Sequence, residues 1–119
     1  MKNILVIDDD QLILNMICRV LNREGIYTET ALDGIEGLRK FSSGAYDLVI
    51  TDIDMPKATG NAVAEDIRKS VQSETPIIAI TGKPRQLKTE FFDAVVHKPF
   101  SLSALMEEVQ KFLSNNSAG

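Results

Sequence analysis

Five acidic residues in two short runs are the first features of this 119-residue chain that could do chemistry. Asp8, Asp9 and Asp10 stand directly after the aliphatic run Ile4-Leu5-Val6-Ile7, and Asp52 and Asp54 follow a second run, Leu48-Val49-Ile50-Thr51. Carboxylates gathered within a few ångströms repel, so either their pKa values rise or a cation sits among them. Oxygen ligands with no histidine or cysteine nearby favour Mg²⁺ or a similarly hard ion. Acids after strands also cap the helices that follow, and Asp10, just before a helical pattern, suits that role. One cap per helix leaves the other acids without such an explanation. Two more polar residues end later apolar runs: Thr81 after residues 76–80 and Lys98 after residues 94–96. Singly, Thr81 is an ordinary strand threonine and Lys98 an ion-pair partner for a nearby acid. Together with the acids they suit an incoming phosphoryl group. Lys98 and the cation would neutralise its oxygens, Thr81 would hydrogen-bond one of them, and a carboxylate would act as nucleophile.

Positioning these residues requires elements that end at one place. Residues 4–7, 48–51 and 76–80 are continuous aliphatic runs of the kind buried on both faces of a sheet, and residues 94–96 form a shorter one. Residues 26–31 (IYTETA) alternate apolar and polar, which predicts an edge strand. Between them, Ile13, Met16, Ile17, Val20 and Leu21 recur at helical spacing up to Gly25. A second helix opens at Asp33-Gly34 and closes at Gly44, a third covers residues 61–71, and Ser101 caps a last one bearing Leu102, Leu105, Met106, Val109, Phe112 and Leu113 on one face. Strands alternating with helices imply right-handed crossovers and a parallel sheet covered on both sides. Ligands in such an α/β fold collect at the carboxyl ends of the strands, where the acids, Thr81 and Lys98 all lie.

Composition narrows the function classes. The chain has 44% apolar and 25% charged residues and a net charge of −4, as in a globular protein with an acidic surface. That balance argues against direct nucleic-acid binding, which needs a basic face. No apolar run approaches the roughly 18–20 residues of a membrane span, and the opening apolar stretch is too short for a signal peptide. The single Cys18 rules out an internal disulfide framework, so a cytoplasmic protein is expected.

The acid pair after the first strand, the DIDMPKATG stretch at 52–60, the Thr81-Gly82 pair and the Lys98-Pro99-Phe100 triplet occur in order along the chain. With them the sequence resembles, from Ile4 to about Leu113, the receiver domain of two-component response regulators of the chemotaxis-regulator type. The resemblance implies a flavodoxin-like, five-stranded doubly wound sheet of order 2-1-3-4-5. It makes Asp52 the acceptor of a phosphoryl group from a sensor histidine kinase or phosphotransfer protein. It assigns Mg²⁺ to the side chains of Asp9 and Asp52, the backbone carbonyl of Asp54 and Asp8 acting largely through water, sets Thr81 and Lys98 on the phosphoryl oxygens, and implies a cis Lys98-Pro99 bond. On this reading residues 1–114 are the phosphoacceptor domain and residues 115–119 a polar tail. The protein is a switch rather than an enzyme, catalysing only its own phosphorylation and dephosphorylation. Its output is a protein partner or a relay, with a phosphorylation-dependent dimer as an option and neither nucleic acid nor membrane as a direct partner.

Two departures from the family stand out. Only 16 residues separate Thr81 from Lys98, and a strand and two loops leave about eight for the fourth helix, which is expected to be short, distorted or mobile; Pro84 falls near its start. The position three before the lysine, usually Tyr or Phe, is Val95, so the usual aromatic rotation has no ring to turn. A pseudo-receiver that binds without phosphorylation is an alternative, and a haloacid-dehalogenase-like phosphatase, from Asp52-Ile53-Asp54, a remote one. His97 and Cys18 read as ordinary surface or packing residues, and Lys83 as a cation near the cleft.

Overall fold

The computed structural model describes residues 1–83 and 86–117. Strand and helix alternate: β1 (Asn3–Ile7), α1 (Gln11–Arg23), β2 (Tyr27–Ala31), α2 (Gly34–Ser43), β3 (Leu48–Asp52), α3 (Gly60–Arg68), β4 (Ile77–Thr81), β5 (Ala94–His97) and α4 (Leu102–Ser117). The strands pair in parallel in the order β2-β1-β3-β4-β5, as expected. The aliphatic runs are unbroken because both faces of the sheet are covered. Ile4 and Val6 of β1 pack with Leu14, Ile17 and Leu21 of α1 and Leu105, Val109 and Leu113 of α4. Leu5 and Ile7 pack on the other face with Phe41 of α2 and Val63, Ala64 and Ile67 of α3. Each fully buried Ile, Leu, Val or Phe side chain among them contributes about 1.5–3 kcal/mol.

The helices start where short polar side chains take up free backbone N–H groups. Asp10 accepts from Leu12, Asp33 from Glu36, Thr59 from Ala62 and Ser101 from Ala104. Gly25, just past α1, has φ 77°, a conformation that suits glycine. Two helix ends differ from the sequence reading. α3 stops at Arg68 rather than 71, because the Ser70 hydroxyl donates to the Ile67 carbonyl and accepts from the Gln72 N–H, diverting the backbone into turns and leaving Val71 fully exposed. α4 runs on to Ser117, into the stretch read as a polar tail, while residues 118–119 lie outside the described residues.

Between β4 and β5 the described residues contain no α-helix; a 3-10 turn covers Thr89–Phe91. The expectation of a curtailed fourth helix holds, although Pro84 itself lies outside the described residues. Phe91 and Phe92 tuck against the α2–α3 side of the core, and Arg68 grips the same stretch from α3. At the opposite edge of the sheet, the Lys40 ammonium donates to the Thr30 carbonyl of β2 and sits beside Glu29 and Glu36.

One close approach fixes α3 against β3. The Gly60 N–H donates to the Ile53 carbonyl, and a Cβ at Gly60 would lie 2.3 Å from the Asp52 carbonyl oxygen. A Cβ at Gly82 would meet only Lys98 Cβ at 3.6 Å, an ordinary contact. In urea unfolding, Gly60→Ala is expected to cost about 1–3 kcal/mol and Gly82→Ala close to nothing. Equal stability of the two variants would contradict this packing.

Candidate functional site

The strand order reverses between β1 and β3, which opens a crevice at their carboxyl ends. Register does the rest. Ile7 pairs with Thr51, so Asp8 and Asp52 emerge side by side, and Asp52 pairs with Ile80, so Thr81 comes next along the edge. Asp8 and Asp52 are buried, Asp9 is exposed, and one carboxylate oxygen from each lies within 4.8 Å of the others. Asp10 does not join them; it caps α1.

The two oxygens of Asp8 have different surroundings. Oδ1 accepts the Asp10 N–H at 2.9 Å, while Oδ2 is buried with no hydrogen-bond partner. Burial pushes the Asp8 carboxyl up to about 6, with the Asp52 charge adding to it and the Asp10 N–H and Lys98 opposing. A buried, unpaired carboxylate oxygen within an all-oxygen cluster matches what a hard divalent cation satisfies, so the residues fit such an ion.

Asp52 has a cation of its own. Lys98 Nζ lies 3.1 Å from Asp52 Oδ1, which also accepts the Ile53 N–H at 2.9 Å. Burial raises the Asp52 pKa and outweighs the opposing pull of Lys98. Burial works to lower the Lys98 pKa, yet its bond to Asp52 and the surrounding carboxylate charges carry it above the ordinary lysine value. Both contacts to the Asp52 carboxylate fall on Oδ1, so Oδ2 is the oxygen left for an incoming group.

Thr81 is buried, and its hydroxyl oxygen accepts the Lys83 N–H at 2.9 Å, leaving the hydroxyl proton for another acceptor. The Asp54 side chain stays out of the acidic cluster. Its Oδ2 lies 3.4 Å from Lys83 Nζ, an exposed ion pair at the cleft mouth. The Lys98-Pro99 bond is cis, as the resemblance implied. Val95, half-buried, pairs with Ala79 and brings no ring to the sheet edge. His97 is exposed at the end of β5, and Cys18 is half-buried on α1.

Residues 4–110 match the response regulator receiver domain family. The chain belongs to this family. Among solved structures, the response regulator TrrA of Thermotoga maritima in complex with Mg²⁺-BeF is 41% identical, with a TM-score of 0.86 over 94% of this chain and 99% of that one. A structure of histidine kinase ThkA in complex with TrrA matches at 41% identity and a TM-score of 0.85, covering 95% of this chain and 99% of that one. The aerobic respiration control sensor protein ArcB of Escherichia coli is 32% identical over 116 residues, which cover 92% of this chain and 15% of ArcB. The chain therefore spans a small part of that longer relative. With the family settled, the haloacid-dehalogenase-like reading is set aside. Among the described residues, no helix is long and apolar enough to cross a membrane.

Sequence reasoning missed Asn61, which served there only to open the third helix, and the Lys83 backbone bond to Thr81. Neither leaves a periodic signal: the partners of Asn61 lie 25 and 27 residues along the chain, and the Lys83–Thr81 bond is a local turn.

The Asp8 carboxyl titrates near 6 in the fold against 3.8 in an unfolded chain, so the fold binds more protons and its stability falls as pH rises between those values. In metal-free protein, Asp8→Asn is expected to flatten that fall and to raise stability at pH 8 by on the order of 2 kcal/mol. Urea midpoints at pH 4 and pH 8 provide the check; an unchanged pH slope would contradict it.

Proposed function

We propose that this receiver is a phosphorylation switch in which Asp52 accepts a phosphoryl group from a histidine kinase or a phosphotransfer protein. The observation that carries the reading is the buried Asp52 carboxylate, bonded to Lys98 at 3.1 Å through Oδ1 with Oδ2 left over, beside an unpaired Asp8 oxygen. Asp52 Oδ2 would form the new bond to phosphorus as the bond to the donor's histidine nitrogen breaks, that nitrogen keeping the electron pair. Lys98 would shift from the carboxylate toward a phosphoryl oxygen, and Thr81 would donate its free hydroxyl proton to another. Asp8, Asp9 and Asp52 would hold Mg²⁺ by their side chains and Asp54 by its backbone carbonyl. When bound, the ion supplies positive charge to the phosphoryl oxygens.

On this reading residues 1–114 are the phosphoacceptor domain and 115–119 a tail. The chain acts in the cytoplasm as a switch rather than an enzyme, catalysing only its own phosphorylation and dephosphorylation. Val95 in place of a ring leaves the backbone between β4 and β5 as the responsive element, read by a protein target, a relay partner or a second copy. The kinase–regulator pairing of ThkA with TrrA supports a kinase as the donor.

Intact mass after incubation with acetyl phosphate tests the proposal. The expected result is a Mg²⁺-dependent gain of one phosphoryl group in the wild type and none in Asp52→Ala. No gain, together with no binding of beryllofluoride, would leave a receiver fold that works by unmodified binding.

A further inference from the structure

The crossover from β4 to β5 is held by a polar stripe on α3. Asn61, Glu65 and Arg68 stand at i, i+4 and i+7, which places them on one face of the helix. Asn61 Nδ2 donates to the Gln86 carbonyl at 2.6 Å, and the Lys88 N–H donates to Asn61 Oδ1 at 2.9 Å. Lys88 Nζ reaches Glu65 at 4.0 Å. Further along, Arg68 donates to the Phe91 carbonyl at 3.1 Å, to Asp93 at 2.7 Å, and to the Ser73 and Thr75 carbonyls.

These grips differ in what they join. The Arg68 contacts gather around the start of β4, where Asp93 also accepts the Ile77 N–H at 2.8 Å, at the end of the sheet away from the acids. Asn61 sits at the acidic end. It follows Gly60, whose backbone is pressed against the Asp52 carbonyl and bonded to Ile53. Its partner Gln86 donates its N–H to the Lys83 carbonyl at 3.1 Å, and the Lys83 N–H is bonded to the Thr81 hydroxyl at 2.9 Å. The contacts thus run from Asp52 through Gly60 and Asn61 to Gln86, Lys83 and Thr81, and around the cleft. A phosphoryl group that drew Thr81 inward would pull on Lys83 and, through it, on Gln86. Asn61, anchored to the Asp52 side, resists that pull.

We propose that the Asn61 side-chain amide is a latch that couples phosphoryl occupancy at Asp52 to the position of residues 86–88. The proposal rests on the reading of Asp52 as phosphoacceptor. In the structure the latch is closed, and occupancy of the site opens it, altering the surface between β4 and β5 without an aromatic switch. Asn61 is a positioning residue, two-handed because its amide offers one donor and one acceptor to the two backbone groups.

The test is amide hydrogen exchange across residues 86–91 of the full chain in Mg²⁺, with and without beryllofluoride. It compares the wild type with Asn61→Ala, Asn61→Asp and Glu65→Ala. Without the analogue, Asn61→Ala is expected to speed exchange there about five- to tenfold, and the analogue-dependent change is expected to shrink severalfold. Asn61→Asp keeps the acceptor for Lys88 but loses the donor to Gln86, so it should fall between. Glu65→Ala, which removes a contact without touching the latch, should respond like the wild type. Intact mass after acetyl phosphate treatment should show one phosphoryl group on every variant, so loss of the exchange response with phosphorylation retained supports the latch. A wild-type-sized response in Asn61→Ala, or analogue binding with no exchange change in the wild type, overturns the latch and leaves the phosphoacceptor reading standing. Failure of the wild type to take either phosphoryl group or analogue overturns the phosphoacceptor reading, and the latch with it.

Discussion

Everything at the working end of this molecule follows from burying like charges at one seam of a parallel sheet. Asp8 and Asp52 leave adjacent strands with almost no exposure to water, and Asp9 adds a third carboxylate within reach. Among the described residues Lys98 offsets them, in contact with one oxygen of Asp52 and acting at longer range on Asp8. Such a cluster is poorly satisfied by the protein alone. The fold tolerates it because the surrounding aliphatic layers on both faces of the sheet are complete. The excess negative charge favours a cation in the crevice; on the proposed reading that cation and Lys98 together would supply the positive charge that anionic phosphoryl oxygens require.

That strain is held by backbone rather than bulk. The loop after β3 is pinned at both ends. Gly60 lies against the Asp52 carbonyl, and Lys57, at φ 70°, pairs with Asp33 at the start of α2. On the far side, the short crossover to β5 depends on α3, whose apolar face holds Val63, Ala64 and Ile67 in the core while its polar face holds the chain outside. One nine-residue helix therefore supports both the core and the surface that stands where a further helix would otherwise lie.

Much of this was legible in the sequence, for identifiable reasons. Unbroken aliphatic runs announced strands covered twice, and polar residues at their carboxyl ends placed Asp8, Asp52, Thr81 and Lys98 in one crevice. Asp10 and Ser101 were recognisable as caps because capping depends on local spacing alone. What escaped had local or tertiary causes that periodicity does not carry. The early end of α3 turns on a serine competing for backbone groups, and Val71 looked like a helical apolar position until that turn exposed it. The Asp54 side chain could not be assigned a direction without Lys83 in place, nor Asn61 a role without the loop it faces. Periodicity reports which face of an element is dry; it says nothing about which loops touch.

The lysine at the far edge has a meaning of its own. Along β2, Tyr27 and Ala31 turn their backbone groups toward β1, so by alternation Thr30 offers its carbonyl outward, and Lys40 occupies it. A foreign strand seeking to extend the sheet there would meet a positive charge and find an acceptor already taken, the familiar defence against runaway polymerisation. Of the two rims of the five-stranded sheet, this one is obstructed at Thr30, whereas β5 forms the other.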